Sequence, residues 1–177
     1  MKHLALLLSV IFLLACSQTP SNNQATKKRS ALIDYVDPFI GTGGHGHTFP
    51  GATVPFGMVQ LSPDNPSKGW DWTSGYHHSD DTLIGFSHTH LSGTGVGDLL
   101  DILVMPFVSS YPENSQNEIK RVHAIYQKTD EQASAGYYAV KLNNENIKAE
   151  LTATARVGVH KYTFGDIGVP QLLIDLG

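Results

Sequence analysis

The sequence is poor in cysteine, in charge and in long apolar runs, and each shortage excludes a class of protein. Its 177 residues hold one cysteine, Cys16, so the chain can form no internal disulfide and no zinc site built from several cysteines. Charged residues make up 16% of the chain and the formal net charge is −4, which argues against a nucleic-acid partner. The apolar run over 4–14, broken only by Ser9, is too short to span a bilayer.

The residues before Ala31 resemble an export signal and a tether. The apolar run ends at Cys16 in the sequence LLAC, which resembles a bacterial lipobox whose cysteine becomes the lipidated N-terminus. We therefore predict a lipoprotein signal peptide over 1–16, with an ordinary secretory signal as the alternative. Ser17 is not the aspartate of an inner-membrane retention signal, which favours a lipid-anchored protein of the outer membrane, the cell surface or the periplasm of a bacterium. Residues 17–30 are polar without an apolar period and predict a flexible tether.

From Ala31 onward, short alternating segments and polar turns predict an all-β domain over 31–177. The clearest alternation predicts either one long strand or two strands with a bend near Gly158. Its apolar row, which we expect to face the core, consists of Ile147, Ala149, Leu151, Ala153, Ala155, Val157 and Val159. Further strands are predicted at 119–126, 137–142, 160–164 and 171–176, with a turn at 143–146. Repeated short strands of this kind favour an antiparallel β-sandwich.

Residues 41–98 concentrate the residue types that form binding sites. They hold 12 of the 17 glycines, six of the nine histidines and both tryptophans. Glycine allows a backbone to approach a ligand closely, whereas histidine and tryptophan supply polar contacts and a stacking face. Loops that merely join strands would explain the glycines alone, but not the histidines and tryptophans with them.

The loop GTGGHGHTFPG, residues 41–51, imitates a nucleotide-binding motif. Its glycines match the dinucleotide fingerprint, which works because a helix follows and binds the pyrophosphate at its N-terminus. Pro50 and Pro55 forbid a regular helix after this loop. His47 stands where a phosphate loop has its lysine. The sequence therefore argues against a nucleotide.

Two His-x-His pairs, at 45/47 and 88/90, raise the question of a zinc or iron site, because a strand places alternate residues on one face. Neither pair is completed by the further ligands that metallo-β-lactamase-like hydrolases or cupins use. Hydrogen bonds from the histidines to backbone carbonyls or sugar hydroxyls are the simpler interpretation. A Gly-x-Ser-x-Gly nucleophile is also absent from the sequence. We assign no metal ligand and no catalytic residue.

The run Trp70-Asp71-Trp72 fits a carbohydrate site better. An indole face packs against the C–H groups of a sugar, and a carboxylate accepts hydrogen bonds from its hydroxyls. In a strand the two tryptophans would share a face with Asp71 opposite, whereas in a loop all three could converge. We expect one tryptophan to pack in the core and the other to face a ligand.

Several longer motifs together resemble the family 92 glycoside hydrolases. They are VDPFIGTGGHGHTFPGA at 36–52, VPFGMVQLSPD at 54–64, GWDWTSGYH at 69–77 and IGFSHTHLSGTG at 84–95, followed by GD at 97–98 and VMP at 104–106. The likeness is close over 35–107 and looser beyond. Several long motifs in one order are far more specific than a single glycine pattern.

This resemblance implies a fold, an activity and a set of site residues. Family members are calcium-dependent exo-α-mannosidases that act on mannose-containing glycans with inversion. A galactose-mutarotase-like β-sandwich precedes a helical barrel, and the active site lies between the two. The implied substrate contacts of this sequence are Trp72 and His45 first, then Trp70, Gly44, His47, Asp71 and His90.

The resemblance also implies a helical barrel domain, which this sequence does not show. In the family, the general acid, the general base and most calcium ligands belong to the barrel, and nothing in these residues resembles it. Inversion requires two carboxyls about 6.5–9.5 Å apart. Asp71, Asp98 and Asp101 are candidates by spacing alone, without a family motif to support them. We expect a truncated sandwich that is inactive alone, with a lipid-anchored carbohydrate-binding module or an inactive fragment as alternatives.

Overall fold

The computed structural model describes residues 31–93, 95–109, 122–166 and 168–176. Its strands are β1 Ala52–Thr53, β2 Gln60–Asp64, β3 Thr82–Leu83, β4 Gly85–Ser87, β5 Leu103–Ser109, β6 Ala124–Ile125, β7 Glu131–Ser134, β8 Tyr137–Leu142, β9 Ile147–Ala153, β10 Gly158–Thr163 and β11 Val169–Asp175. Short 3₁₀ turns lie at Leu32–Tyr35, Trp70–Trp72 and Lys128–Asp130. The predicted signal peptide, the tether, Cys16 and the first three residues of the predicted strand 119–126 lie outside the described residues.

The strands form antiparallel sheets, which confirms the predicted all-β sandwich. One sheet has five strands in the order β1-β2-β4-β5-β11, and a second has four in the order β10-β9-β8-β7. Strands β1 and β2 contact β9, so the two sheets pack against each other. A small two-stranded sheet pairs β3 with β6. Within the described residues there is no helix long and apolar enough to cross a membrane.

The core lies between the two sheets. In β9 the side chains of the apolar row are buried while the intervening ones face solvent or are partly covered, as the alternation predicts. They join Leu61, Phe86 and Met105 of the five-stranded sheet in one hydrophobic cluster. The fold is therefore stabilised by burial of the inner faces of both sheets.

The alternation forms two strands, β9 and β10, in agreement with one of the two predicted alternatives, but the inward row predicted for its end is wrong. The chain turns at 154–157, where the backbone N–H of Thr154 donates to the carbonyl of Val157 at 2.9 Å. Across the turn, Gly158 pairs with Ala153 and His160 pairs with Leu151. Paired residues of neighbouring strands lie on the same face of the sheet. The inward-facing residues are therefore odd-numbered in β9 and even-numbered in β10. Three residues that the period placed inside are therefore exposed: Ala155, Val157 and Val159.

The other predicted strands agree with the structure in place and type. The strand at 137–142 has the bounds of β8, and the turn at 143–146 is present. The strands predicted at 160–164 and 171–176 correspond to β10 and β11, each of which starts two residues earlier. Within the described part of 119–126, only the short β6 is a strand.

A buried carboxylate connects the four-stranded sheet to the loop that follows Trp72. Glu131 of β7, whose side chain is 1% exposed, accepts hydrogen bonds from the hydroxyls of Tyr76 at 3.0 Å and Tyr138 at 2.7 Å. Its second oxygen lies 3.2 Å from the Lys128 ammonium. Burial, together with the charge of Glu131, raises the pKa of both tyrosines, so their hydroxyls remain donors. The charge is thus compensated within the core.

Candidate binding site

The glycine loop folds back on itself and presents two histidines. The backbone N–H of Gly46 donates to the carbonyl of Gly43 at 3.2 Å, and a Cβ at Gly46 would collide with the Gly41 backbone. His47 adopts a left-handed conformation with φ of 52°. The chain then runs to β1 without the helix that a nucleotide site needs. The fold of this loop therefore places His45 and His47 on the same side of the loop.

The tryptophan run forms a tight turn rather than a strand. The backbone N–H of Trp72 donates to the carbonyl of Gly69 at 3.0 Å, and that of Thr73 donates to Trp70 at 3.3 Å. Gly69 has a φ of 122°, a conformation that favours glycine. In a 3₁₀ turn, successive side chains point about 120° apart. The side chains of the run therefore diverge.

Two residues of this turn join the histidines of the glycine loop. A carboxylate oxygen of Asp71 lies 2.6 Å from Nδ1 of His45 and 3.6 Å from Nε2 of His47. The edge of the His47 ring meets the Trp70 ring at a centroid distance of 4.2 Å. Trp70 is 58% exposed and lies beside the exposed His45 ring, at a centroid distance of 5.7 Å. We call Trp70, Asp71, His45 and His47 the aromatic–carboxylate cluster.

The cluster holds an ionised carboxylate next to an unused nitrogen. The hydrogen bond from His45 lowers the pKa of Asp71, against a smaller opposing effect of desolvation. The His47 side chain is 5% exposed, and its Nε2 has no hydrogen-bond partner among the described residues, since 3.6 Å to Asp71 is too long. An unpaired buried nitrogen costs about 1–3 kcal/mol.

Trp72 lies apart from the cluster and is fixed by other residues. Its ring stacks on His77 at a centroid distance of 4.2 Å, and its Nε1 donates to Asp80 at 3.1 Å. Lys68 lies 2.7 Å from the same carboxylate oxygen. Burial acts to raise the pKa of Asp80, but the hydrogen bonds from Lys68, the Thr82 backbone and Trp72 outweigh it, so the pKa is lowered. Trp70 is exposed, whereas Trp72 is half-buried and lies outside the hydrophobic core cluster, so the expectation of one core tryptophan is not met and a ligand-facing tryptophan stays a prediction.

His77 also connects Trp72 to the glycine loop. Its Nε2 lies 3.2 Å from the carbonyl oxygen of Gly44, and its Nδ1 lies 2.8 Å from the hydroxyl of Ser79. Gly44 has a φ of 59°, and a Cβ there would meet nothing within 4 Å, so this part of the loop is open to a ligand. The ranking of Trp72 and Gly44 as sugar contacts stays a prediction.

His90 is buried away from the aromatic–carboxylate cluster. Its Nδ1 lies 2.7 Å from the Gln60 carbonyl, and its Nε2 lies 2.9 Å from an Asp64 carboxylate oxygen. The ring also packs against Phe49 at a centroid distance of 4.8 Å. Both nitrogens therefore have protein partners, and the predicted substrate role of His90 has no support from this geometry.

Sequence reasoning missed the residues that fix Trp72, namely His77, Asp80 and Lys68. All three lie within 12 residues of one another in the chain, and His77 falls inside a motif already noted. Their contacts form through an irregular loop, where no periodicity predicts which side chains meet. Only the density of polar and aromatic residues around Trp72 could have indicated them.

The described residues do not build a calcium site. They contain no group of three or more histidine, cysteine, aspartate or glutamate side chains placed to bind a metal ion. Calcium takes six to eight oxygen ligands, of which several are usually carboxylates. The carboxylate of the aromatic–carboxylate cluster is that of Asp71, and its contacts are imidazoles. We therefore derive no role for calcium from these residues.

The fold and the cluster define an all-β sandwich with one loop-borne candidate binding site. Residues 35–177 match the model of the glycosyl hydrolase family 92 N-terminal domain. The chain belongs to this family. It is also 31% identical over 163 residues to a protein of Arthroderma benhamiae described as an uncharacterized secreted glycosidase, covering 86% of this chain and 20% of that protein.

Solved structures of family members share the fold. A family GH92 α-mannosidase from Bacteroides thetaiotaomicron, in complex with mannoimidazole, is 41% identical with a TM-score of 0.75. An inverting family GH92 mannosidase from the same species is 27% identical with a TM-score of 0.64. Each match covers 83% of this chain and 20% of the solved chain. This chain thus spans about one fifth of the length of the relatives it matches.

Proposed function

We propose that this chain is the N-terminal domain of a secreted glycoside hydrolase that removes terminal α-linked mannose from glycans by inverting hydrolysis. Its part is to contribute substrate contacts. The observation that carries the proposal is the aromatic–carboxylate cluster, formed by two motifs typical of the family. Support comes from the structural relatives, an α-mannosidase bound to mannoimidazole and an inverting mannosidase.

The cluster offers the groups that a pyranose ring needs. Asp71 is an ionised acceptor for sugar hydroxyls, and hydrogen bonds to an ionised acceptor are stronger than those between neutral groups. The exposed Trp70 ring offers an apolar face to the C–H groups of the sugar. The exposed His45 adds a polar contact beside the same carboxylate. The glycines of the loop leave room for the ring to approach.

The chemistry of inversion needs more than this cluster provides. One carboxyl must protonate the leaving oxygen while a second activates water on the opposite face. Among the described residues, the contacts of the cluster bring in one carboxylate, Asp71, which His45 keeps ionised and which is unsuited to act as the acid. We propose that the catalytic pair and the calcium ligands come from residues beyond those described, and that this chain alone is inactive.

We also propose that the protein is exported and lipid-anchored through Cys16, at the outer membrane, the cell surface or the periplasm of a bacterium. The support for export is the signal-like sequence over 1–16 and the description of the fungal relative as secreted. The support for an anchor is the lipobox-like ending at Cys16. Two or more acyl chains would hold the domain firmly.

An activity assay tests the proposed function. We would express the 177-residue chain and the longest reading frame that contains it, and measure mannose release from α-mannosides. We expect release by the longer product alone. In that product, Asp71→Asn should lower kcat/KM by about ten-fold, because the amide lacks the charge that strengthens hydrogen bonds from sugar hydroxyls. The matched control is Asp166→Asn, at an exposed aspartate of the described chain, which should change little.

Two outcomes would contradict the proposal. Mannose release by the 177-residue chain alone would show that the catalytic pair lies within it. Equal activity of Asp71→Asn and Asp166→Asn would show that the aromatic–carboxylate cluster has no part in substrate binding.

A reading frame that ends at Gly177, together with measurable mannoside binding, would favour the second candidate, a lipid-anchored binding module without catalysis. That candidate is favoured by the single carboxylate of the cluster.

A further inference from the structure

A second pair of histidines meets where the two sheets approach each other. His88 directly follows β4 of the five-stranded sheet, and His160 lies in β10 of the four-stranded sheet. Their Nε2 atoms are 3.1 Å apart, and their ring centroids are 4.9 Å apart. The two residues are 72 positions apart in the chain, so no local pattern predicts this contact. The pair shares no residue with the aromatic–carboxylate cluster.

The outer nitrogen of each ring is fixed by a hydrogen bond. Nδ1 of His88 lies 2.8 Å from the carbonyl oxygen of Ile102. A carbonyl only accepts, so Nδ1 of His88 carries the proton and its Nε2 presents a lone pair. Nδ1 of His160 lies 2.7 Å from the hydroxyl of Tyr162, which can either donate or accept. The hydrogen bonds at Nδ1 therefore fix the orientation of both rings, and the two Nε2 atoms face each other.

We propose that His88 and His160 form a binding site for a borderline divalent transition-metal ion such as Cu²⁺, Ni²⁺ or Zn²⁺, with water in the remaining positions. Imidazole suits these ions. Two nitrogens 3.1 Å apart, each about 2.0–2.1 Å from an ion, subtend an angle near 100° at the metal, between square-planar and tetrahedral geometry. Metal-bound histidines almost always donate their other N–H to a carbonyl, carboxylate or water, as His88 does here.

Binding of the ion requires His160 to change its tautomer, and no proton is released to solvent. In the chain without metal, Nε2–H of His160 donates to Nε2 of His88, and the Tyr162 hydroxyl donates to Nδ1 of His160. When the ion binds, the His160 proton moves to Nδ1 and the Tyr162 hydroxyl becomes its acceptor. One N–H···N hydrogen bond is lost and two nitrogen–metal bonds form. The alternate roles of the hydroxyl make Tyr162 a positioning residue of the site.

Among the described residues, the Nε2 atoms of His88 and His160 are the only side-chain ligands available to this ion. A Cβ at Gly158 would approach the His88 ring at 3.0 Å, so glycine leaves space beside the pair. The nearby carboxylate of Asp101 is bound by the Thr89 hydroxyl at 3.0 Å. No third histidine, cysteine or acidic side chain of the described chain completes a larger metal group. Two imidazoles without carboxylates discriminate against calcium and magnesium, which require oxygen ligands.

The test is a titration of the 177-residue chain with Cu²⁺, in a His3→Ala/Cys16→Ser background so that neither the N-terminal Met-Lys-His sequence nor the thiol competes for the ion. Binding is followed by calorimetry and by electron paramagnetic resonance. We expect a bound ion with hyperfine splitting from two nitrogens, and a loss of affinity of at least ten-fold in the double variant His88→Gln/His160→Gln. Tyr162→Phe should weaken binding by about ten-fold, as typical for a residue that orients a ligand.

The matched control is His123→Ala, at an exposed histidine outside the pair, which should bind Cu²⁺ as the parent does. Each variant is checked by circular dichroism, and single variants His88→Gln and His160→Gln replace the double variant if it does not fold. Equal Cu²⁺ affinity of parent and His88→Gln, or a spectrum without two-nitrogen splitting, would overturn the proposal. The pair would then be a hydrogen-bonded contact between the sheets.

Discussion

Tyr138→Phe measures how strongly the buried carboxylate stabilises the sandwich. The change removes a hydroxyl that donates to Glu131 at 2.7 Å, while the contacts from Tyr76 at 3.0 Å and Lys128 at 3.2 Å remain. A hydrogen bond to a buried charge is worth about 1.5–3 kcal/mol. In a domain of this size, each kcal/mol shifts the melting temperature by about 2–4 °C. We therefore expect a decrease of about 3–12 °C in thermal unfolding followed by circular dichroism.

The neighbouring tyrosine provides the matched control. The Tyr137 hydroxyl donates to Glu150 at 2.8 Å on the outer face of the same strand, where Lys148 and Lys161 also bind that carboxylate. Ion pairs and hydrogen bonds at the surface contribute little to stability, because water and salt screen them. Tyr137→Phe should therefore change the free energy of unfolding by less than half as much as Tyr138→Phe. Equal effects of the two changes would refute the reasoning that burial makes the Glu131 contact strong.

Three further changes test the loops around the site. Asp80→Asn should lower the free energy of unfolding by about 1.5–3 kcal/mol in urea titrations, because it removes the charge that binds the Trp72 indole and Lys68; an unchanged midpoint would contradict this. In the longer product, Gly46→Ala should abolish mannoside turnover, because its Cβ would overlap the Gly41 backbone of the loop; an active variant would contradict this. His45→Ala should raise the pKa of Asp71, which NMR of the carboxyl carbon measures; identical titration curves of parent and variant would contradict this. Because the pKa of Asp71 is lower in the folded than in the unfolded chain, its contact with His45 stabilises the fold at pH values above the unfolded pKa. This stabilisation is lost as the pH falls through the folded pKa.

The strands could be predicted wherever one face of a sheet is buried. In β9, the alternation follows directly from the pleat, because residues of one parity lie against the core. The same pattern fails after Ala153, since the turn at 154–157 pairs odd with even residues and reverses the parity. Register across a turn depends on its length, and the apolar residues at Val157 and Val159 do not reveal that the chain has turned.

The site could be predicted as a set of motifs but not as a geometry. The glycine loop and the tryptophan run were both indicated by composition, and Asp71 and His45 do meet across 26 positions of sequence. The sequence could not show that a 3₁₀ turn directs Trp70 toward His45 and Trp72 away from it, because period two holds only in strands. For the same reason, the spacing of two residues could not place His90 in the core.

The most direct test of the account is the crystal structure of the longest product of this reading frame with mannoimidazole, the ligand of the relative from Bacteroides thetaiotaomicron. We expect the sugar ring to lie against the Trp70 indole, with Asp71 and His45 within hydrogen-bond distance of its hydroxyls. A sugar bound elsewhere, with the aromatic–carboxylate cluster unchanged and without contact to it, would contradict the proposed role of this domain.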